Sequence, residues 1–380
     1  MMGTGIDPQS IVEFMQSYHI EIIKSLERFH TLSDEWNKLL SQSAAKTIFL
    51  SWEWLYSWAE TYIDKSRELF ILAVFDEKDH LVGIAPWYVS RKRVLQFLSY
   101  RQVEFLGLPE TASDYIDVFI TRGNEKDVAY RIYDFLLKEA AHSWDCLAFR
   151  DVPVDSPFFF HFLNRIEEEG KYAEISRGSI CPVASRPPDG TDDPLLNVSP
   201  HRKKRFNREY KLLSSDGGIE YRSIAAGNGF TGALHELFAF HEIQKAYEDK
   251  RLYRFLEKFI DRCGSRDLVE IDLMSHQGRT IAGLFHLHYH DTISMYLMVT
   301  DKDFNPKVSI GNVLVGLSMK RAFEGKFSTF DFLKGSEPYK FSWANGMRNS
   351  LNIVFYGKRI PSLLIVVKRF LTHSAKIVLR

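Results

Sequence analysis

The feature that most constrains this fold is a strand–turn–strand pattern that occurs once in each half of the chain. In residues 69–89, LFILAVF and LVGIAPWYV flank the polar DEKDH, and in residues 268–289, LVEIDLM and TIAGLFHLHY flank SHQGR. Val82-Gly83 aligns with Ile281-Ala282 at an offset of 199 residues. Apolar runs joined by a short polar turn are typical of hairpins. Their recurrence indicates duplication of one α/β unit, and the alternative is two unrelated hairpins.

Helical patterns surround both hairpins and predict a mixed α/β fold, in the sense of α+β units with mixed sheets. Residues 31–62 carry apolar side chains at helical spacing, and Ser51 is placed as the N-cap of SWEWLYSWAETY. Further strands are predicted at 103–108, 115–120 and 145–150, and further helices at 125–141 and 230–262.

A proline-rich segment divides the chain in two. Residues 184–200, ASRPPDGTDDPLLNVSP, contain four prolines, one glycine and three aspartates, and this composition disfavours both helix and sheet. The 380 residues amount to about two to three times the usual domain size. The sequence therefore predicts an amino-terminal domain over 1–183, a linker over 184–198, a carboxyl-terminal domain over 199–357 and a basic amphipathic tail over 358–380.

Charge and cysteine usage limit the partners and the compartment. Lys plus Arg and Asp plus Glu both number 49, so no overall electric field favours DNA, RNA or an acidic membrane. The three cysteines are far apart and lack zinc-ligand spacing, which indicates a reducing compartment and no metal. The first thirty residues contain charges throughout and no uninterrupted signal-peptide core. We expect a cytoplasmic protein without a DNA partner.

One segment of the second half is suited to bind a nucleotide. A predicted strand over 292–299 leads into a loop and then into the helix GNVLVGLSMKRAFEG. The first turn of a helix offers unpaired backbone N–H groups and the positive end of the helix dipole, and Gly311 allows close approach, so this turn is able to hold a pyrophosphate. The alternative is that Ser309, Gly311 and Asn312 only cap the helix, since neither GxGxxG nor GxxxxGKS/T is present.

Two acidic residues follow beside this helix. Residues 327–343, FSTFDFLKGSEPYKFSW, have the pattern of a strand, a turn and a polar aromatic stretch. Asp331 and Glu337 are therefore expected near the carboxyl end of a strand, next to the loop that could hold the nucleotide.

The order of these segments resembles a known enzyme family. The segments of the second half are Ser199-Pro200 with HRKKRFNR, then GRTIAGLFHLHYHDTISMYLMV, the Gly311-led helix ending in MKRAFEG, and FDFLKGSEPYKFSW. Those of the first half are GIAPWYV, EFLGLPETASDYIDVFI and Ser156-Pro157. Over roughly residues 45–357 the chain resembles the large acetyltransferase family found with cellulose and exopolysaccharide biosynthesis genes, which belongs to the GNAT superfamily and is related to the FemABX transferases.

This resemblance implies two tandem GNAT-like domains in a FemABX-like arrangement, with acyl transfer in the second. Acetyl-CoA or another acyl-CoA is the implied co-substrate, and no metal is implied. A backbone N–H near Val299 would polarise the thioester carbonyl. The implied donor-binding residues are Val299, Ser309, Ile310, Gly311 and Asn312.

In such an enzyme the acceptor attacks directly, so the resemblance calls only for a group that takes its proton. The candidate bases are Asp331, Glu337, His286 and His288, none of them singled out, and Tyr339 is a candidate proton donor to the leaving thiolate. Structural roles are the alternatives: a turn aspartate, a solvated glutamate and a packed tyrosine.

His286 and His288 alternate with His290, so in a strand the three would share one face and could in principle ligate zinc. His290 lies at the predicted turn and no further ligand follows at suitable spacing, so we expect instead a wall facing the acceptor.

Cations of the second half are candidates for substrate binding. The helix after Pro200 is rich in positive charge, and it could contact phosphate on CoA, a nucleotide sugar or tRNA, or form a solvated face with Glu209. The candidate substrate-binding residues are Arg202, Lys203, Arg205 and Lys340.

The function that these features favour is acyl-CoA-dependent N- or O-acyl transfer to a sugar, a nucleotide sugar or an envelope or exopolysaccharide precursor. One alternative is a FemABX-like transferase that uses aminoacyl-tRNA to modify peptidoglycan precursors. Another is a non-catalytic scaffold for a polysaccharide synthase. Residues 360–380 combine cations with aliphatic side chains, so peripheral contact with the inner face of a membrane and packing onto a domain are both open.

Overall fold

The computed structural model describes residues 18–95, 98–189, 191, 193–215, 218–240, 250–264, 266–304, 307–358 and 362. These residues divide into two compact units. The first unit comprises the described residues up to Gly178 and from Ser350 onward, and the second comprises those from Ser179 to Asn349. The chain passes from one unit to the other within strands β9 (Ala173–Ser185) and β15 (Gly346–Tyr356). The predicted domain boundaries lay a few residues later at both points.

The first unit combines helices with two groups of paired strands. Besides parts of β9 and β15, its strands are β1 (His19–Ile23), β2 (Arg67–Leu69), β3 (Ile71–Phe75), β4 (Leu81–Ala85), β5 (Trp87–Leu95), β6 (Leu98–Phe105), β7 (Phe119–Ile120) and β8 (Cys146–Pro153). One group pairs in the order β1-β3-β4-β7, and the second group pairs in the order β2-β5-β6-β8. Its helices are α1 (Leu26–His30), α2 (Ser33–Gln42), α3 (Trp52–Tyr62), α4 (Glu125–Lys138) and α5 (Pro157–Glu168).

The second unit is a mixed sheet with helices on both faces. Its strands are β10 (Ile219–Ala225), β11 (Val269–His276), β12 (Arg279–Tyr289), β13 (Thr292–Thr300) and β14 (Thr329–Asp331). They pair in the order β10-β11-β12-β13-β14 and end on the last residues of β9. Its helices are α6 (Pro200–Ser215), α7 (Phe230–Phe238), α8 (Lys250–Cys263), α9 (Ile310–Glu324) and α10 (Pro338–Trp343).

Both predicted hairpins are present, as β3–β4 and β11–β12. Each contains a glycine that lets a helix approach the sheet. A Cβ atom on Gly83 would lie 2.9 Å from Val128 of α4, and one on Gly283 would lie 2.5 Å from Leu237 of α7. These glycines are 200 residues apart, one more than the predicted offset. The mixed α/β prediction is confirmed.

Helix starts follow local sequence rules. The Ser51 hydroxyl accepts a hydrogen bond from the Trp54 N–H at the start of α3, and Ser156 caps α5 through the Phe159 N–H. The Ser199 hydroxyl accepts from the Arg202 N–H at the start of α6. In each case the serine hydroxyl accepts a hydrogen bond from a first-turn N–H that has no partner within the helix.

Three predicted segments differ from the structure. Residues 115–120 form a strand only at Phe119–Ile120, because buried Asp114 and Asp117 and the positive φ of Tyr115 (59°) shape the preceding residues as a loop. The predicted 230–262 helix is α7 and α8, and residues 241–249 between them lie outside the described residues. Residues 184 and 185 of the predicted linker belong to β9.

The structure describes the two ends of the chain only in part. The predicted amphipathic tail lies outside the described residues except for Lys358 and Ser362, so its membrane contact stays a prediction. Within the described ranges, no helix is both long enough and apolar enough to cross a bilayer. All three cysteines are buried.

Candidate active site

Two strands of the second unit part at their carboxyl ends. β13 and β14 are parallel and pair at only three positions, of which Ser294 with Asp331 is the last. β14 ends there, whereas β13 continues to Thr300 while paired with β12 on its other side. An edge without a neighbouring strand presents backbone N–H and C=O groups. This edge of β13 is therefore suited to bind an extended ligand.

The first turn of α9 lies against the end of β13. A Cβ atom added to Gly311 would be 3.2 Å from Thr300 Cγ2 and 3.5 Å from Met298 Sδ, so only a very small residue fits without displacement. Ser309 occupies the N-cap position, and its hydroxyl does not cap the helix. The N–H groups of this turn and the positive end of the helix dipole favour an anion.

A cavity of about 620 Å³ lies at the end of β13, the start of β12 and the end of α7. Thr300, which packs against Gly311, is part of its wall. A volume of this order holds a ligand of small-molecule size. The other lining residues are Glu236, Ala239, Phe240, Arg279, Thr280, Asp301, Lys302 and Asp303.

Asn312 connects this turn to helix α6. Its side-chain oxygen accepts a hydrogen bond from Arg202 Nη1 at 2.6 Å, and its Nδ2 donates to Glu209 Oε2 at 2.5 Å. Arg205 Nε donates to the other Glu209 oxygen at 2.9 Å. A solvated face with Glu209 was one of the two alternatives for this helix, but Glu209 is buried and its carboxylate binds the start of α9.

Of the predicted substrate-binding residues, Arg205 reaches the predicted donor site through Glu209, and Arg202 contacts it directly through Asn312. Its guanidinium carbon lies 5.6 Å from the centre of the Trp343 ring. Lys203 pairs with Asp193 at 2.8 Å, away from Asn312. Lys340 is buried, and its Nζ donates to the Lys334 carbonyl at 2.7 Å, so it holds the loop before α10.

The remaining cations of α6 face outward. Lys204, Arg208 and Lys211 are exposed and recur at intervals of four and three residues, so they form one row on the helix. The opposite face is buried: the Phe206 ring lies so near Gly316 that a Cβ atom there would be 2.4 Å away.

Asp331 lies where β13 and β14 part, and it is fully buried. One carboxylate oxygen accepts a hydrogen bond from the Leu333 N–H at 2.8 Å, and the other accepts from Arg348 Nη1 at 3.1 Å. These contacts fix the orientation of the loop that follows β14.

Glu337 and Tyr339 flank the start of α10. The Glu337 side chain is 53% exposed, and its carboxylate lies 3.5 Å from Lys340 Nζ. Burial, together with the charge of Glu337, raises the pKa of Tyr339 to about 12. Tyr339 is therefore protonated at neutral pH.

His286 and His288 lie elsewhere, in a buried ionic cluster under the second half of α9. His286 Nε2 is 3.1 Å from Asp272 Oδ2 and 3.0 Å from Ser318 Oγ. His286 also packs against the Phe330 ring. Phe330 and Asp331 are consecutive strand residues, so their side chains point to opposite faces of the sheet. The two histidines and Asp331 are thus not brought together.

Arg321 of α9 brings a positive charge to the two carboxyl groups of this cluster, Glu270 and Asp272. Its guanidinium binds Glu270 through both terminal nitrogens, and its Nε lies 3.6 Å from Asp272 Oδ1. Burial alone would raise the pKa of Asp272, but the hydrogen bond and charge of His286, together with Arg321, outweigh it and lower the pKa. Burial and the nearby Asp272 raise the pKa of Glu270. Among the described residues, no group of three His, Cys, Asp or Glu side chains has a geometry that would hold a metal ion.

The buried position of His288 leads us to expect that the stability of the protein depends on pH. Burial, then the charges of His286 and Arg321, lower the pKa of His288 to about 3, so the ring is neutral at pH 7 and its Nδ1 hydrogen-bonds Asp267 at 3.1 Å. An unfolded histidine titrates near 6.5, so between pH 6.5 and 3 only the unfolded state gains this proton. Stability therefore falls as the pH falls through that window, by about 2 kcal/mol between pH 7 and pH 5.

Urea unfolding at pH 7 and pH 5 measures this loss. We expect the variant His288→Gln to lose about 2 kcal/mol less than the wild type between the two pH values. An equal loss in both proteins would contradict the assignment.

Several residues of these sites were not identified from the sequence. Glu209, Arg348 and Trp343 contact predicted site residues, and Asp272 and Arg321 build the buried cluster. Spacing gives one partial signal, because Arg205 and Glu209 are four residues apart on a helix. The other contacts join segments far apart in the sequence.

The second unit contains a segment that is similar in sequence to a known enzyme family. Residues 200–341 match the sequence profile described as acetyltransferase (GNAT) domain. No curated protein matches the chain. The solved structure of FemX is similar with a TM-score of 0.57 at 11% identity, over 88% of this chain and 96% of that one.

Two further solved structures share the fold. One is the C-terminal domain of a putative lysylphosphatidylglycerol synthetase from Agrobacterium fabrum, with a TM-score of 0.51 at 8% identity, over 90% of this chain and 95% of that one. The other is a conserved protein of unknown function from Bacteroides thetaiotaomicron, with a TM-score of 0.52 at 11% identity, over 89% of this chain and 100% of that one. These likenesses show the fold, and they confirm the predicted tandem GNAT-like architecture. The chain thus contains a GNAT-type acetyltransferase domain over residues 200–341.

Proposed function

We propose that this enzyme transfers an acyl group from acyl-CoA, in particular acetyl-CoA, to an amine or hydroxyl of a sugar, a nucleotide sugar or an envelope polysaccharide precursor. The observation that carries the proposal is the parting of β13 from β14 beside the first turn of α9. An extended thioester fits an open strand edge, and its pyrophosphate fits a helix N-terminus.

The donor-binding residues act mainly through the backbone. The N–H groups from Ser309 to Asn312 would bind the pyrophosphate, and Arg202, held by Asn312, adds positive charge next to them. A backbone N–H of β13 near Val299 would stabilise negative charge that develops on the thioester oxygen. The acceptor forms the new C–N or C–O bond to the acyl carbon, and the C–S bond breaks.

Two protons must move during this exchange. The acceptor loses one, and the departing thiolate gains one. We assign the base to Glu337, because its carboxylate is accessible, and the acid to Tyr339, because it is protonated at neutral pH. Asp331 orients the loop between them and β14. His286 and His288 are buried, so we do not assign them contact with the acceptor.

A thiol-release assay with acetyl-CoA tests this assignment. We expect Glu337→Gln to lower kcat by about 100-fold with glucosamine or a glucosamine nucleotide as acceptor, since a general base contributes 10²–10⁴-fold. Glu324→Gln on α9, an exposed carboxylate, is the control and should leave kcat unchanged. A Glu337→Gln enzyme as fast as the wild type would rule out this base.

The class of acceptor rests on the resemblance to the family found with cellulose and exopolysaccharide genes. The segment FDFLKGSEPYKFSW is the most specific part of that resemblance, and it contains both Glu337 and Tyr339. We place the reaction in the cytoplasm, where acyl-CoA is available.

A second candidate is transfer of an aminoacyl group from aminoacyl-tRNA. It is favoured by the fold likeness to FemX and by the exposed row of Lys204, Arg208 and Lys211, which suits a phosphate backbone. Isothermal titration separates the two candidates. Binding of acetyl-CoA supports our proposal, and binding of charged tRNA without acetyl-CoA would replace it.

A further inference from the structure

Helix α6 carries more positive charge than its neighbours compensate. Its sixteen residues include six lysines and arginines but only one acid, Glu209, which is buried. Arg205 pairs with Glu209, and Lys203 pairs with Asp193. Arg202 faces the donor turn, as described above. Three cations of this helix are left without such a contact.

These three cations are Lys204, Arg208 and Lys211, and we call them the α6 cation row. All three side chains are exposed, and within the described part of the chain none of them has an ion pair or a hydrogen-bond partner. Residues three and four apart lie on one side of a helix, so the row runs along about 10 Å of the helix surface. Like charges at these spacings repel one another, and an anionic surface along the row would relieve this repulsion.

An exposed leucine next to the row distinguishes between anionic partners. Leu212 is 48% exposed and follows Arg208 by four residues, so it lies beside the row. The exposed aromatic ring of the helix, Tyr210, instead stacks on buried Phe206, with 5.9 Å between the ring centres. At a bilayer, cations bind the headgroups while an aliphatic side chain enters the boundary with the acyl chains. Nucleic acid offers phosphates and bases for stacking but no such apolar layer.

We propose that the outer face of α6, formed by the α6 cation row and Leu212, binds the anionic surface of a membrane. The chain has no net charge, so this attraction is local to the face. Each lysine or arginine near an anionic membrane raises the partition coefficient roughly fivefold, so the row contributes about 100-fold. The contact is therefore reversible and weakens as salt screens the charges.

This contact would bring the donor turn close to the headgroups. α6 begins at that turn, where Arg202 donates to Asn312, and the two faces of a helix are about 10 Å apart. The inference deepens the function proposed above and rests on it for one point, the acceptor: a precursor carried on a lipid would be presented at this surface. The membrane contact itself does not depend on the acceptor.

Cosedimentation of the full-length protein with lipid vesicles tests the contact. The vesicles contain either phosphatidylcholine alone or phosphatidylcholine and phosphatidylglycerol in equal amounts. We expect binding to the anionic vesicles only, and its loss at high salt. The triple variant Lys204→Gln, Arg208→Gln, Lys211→Gln should lower the partition coefficient about 100-fold. Leu212→Ser should lower it about fivefold, because it removes the apolar side chain that enters the bilayer.

The matched control is the triple variant Lys38→Gln, Lys46→Gln, Lys65→Gln. These lysines of the first unit are also exposed, and their replacement changes the net charge by the same amount. This variant should bind the anionic vesicles as the wild type does, and circular dichroism checks that both triple variants are folded.

Three results would overturn the inference. They are equal binding of the wild type to both kinds of vesicle, wild-type binding by the folded α6 variant, and an equal loss in the α6 variant and the control. Binding of tRNA by the wild type without binding of anionic vesicles would also overturn it, and would favour the second candidate function.

Isothermal titration with acetyl-CoA separates this inference from the proposed donor. The α6 variant should bind acetyl-CoA with the affinity of the wild type. If acetyl-CoA fails to bind the wild type while anionic vesicles bind through the α6 cation row, the proposed donor is wrong and the membrane contact stands.

Discussion

Replacement of Gly311 by glutamate is expected to lower the affinity for acetyl-CoA at least 100-fold while the protein stays folded. The new Cβ atom would press against Thr300 Cγ2, which is only 3.2 Å from its ideal position, and so displace the turn. The added carboxylate would lie among the N–H groups that we assign to the pyrophosphate, where like charges repel. A 100-fold loss corresponds to about 2.7 kcal/mol of binding free energy.

Isothermal titration with acetyl-CoA measures this loss, and circular dichroism checks the fold. Gly232→Glu is the matched control, because a Cβ atom at Gly232 in α7 meets no atom within 4 Å. Gly311→Ala adds the Cβ atom without the charge, so its affinity should lie between those of the wild type and Gly311→Glu. Tight binding by a folded Gly311→Glu protein would exclude this turn as the phosphate site.

Replacement of Asp272 by alanine is expected to destabilise the protein by about 3–5 kcal/mol, because it removes one partner of a buried ionic cluster. Asp272 is fully buried and faces both His286 Nε2 and Arg321 Nε. Without its charge, the positive charge of Arg321 is compensated by Glu270 alone. For a protein of this size the loss corresponds to a fall in Tm of about 10 °C.

Differential scanning calorimetry at pH 7 is the measurement. Asp261→Ala on α8 is the control, since this aspartate is exposed and should change stability by less than about 0.5 kcal/mol. Asp272→Asn keeps the shape and removes the charge, so it should recover part of the loss that comes from packing. A Tm for Asp272→Ala close to that of the wild type would show that the cluster does not stabilise the fold.

The fold was largely predictable because its signals are local. The two hairpins follow from apolar runs and short turns, and the helix starts at Ser51, Ser156 and Ser199 follow from N-cap chemistry. The segment 115–120 was predicted wrongly because its apolar residues fit a strand, whereas the buried Asp114 and Asp117 are held in a loop.

The site was predictable only in part. Gly311 and Asn312 were identified because a strand, a loop and a helix follow one another in the sequence, and Asp331 because it ends the next strand. The contact between Arg202 and Asn312 spans 110 residues and has no local signal. Lys340 was a candidate for substrate binding, and the contact of its buried ammonium group with the Lys334 carbonyl has no signal in the sequence.

The two histidines show which features depend on the local sequence and which depend on tertiary packing. Their alternation correctly places His286 and His288 on one face of a strand, because strand side chains alternate by geometry. Which layer covers that face depends on how α9 packs, and Ser318 and Arg321 of α9 make it a buried ionic cluster.

The sequence by itself determined the repeated α/β hairpins, the helix boundaries set by capping serines, and the glycine that a close helix start requires, because each depends on neighbours a few residues apart. Only the tertiary structure decided which charges are paired and which strand edge stays open, since both depend on contacts between distant segments. The chemistry that we propose depends on one such contact, the open edge of β13 beside Gly311.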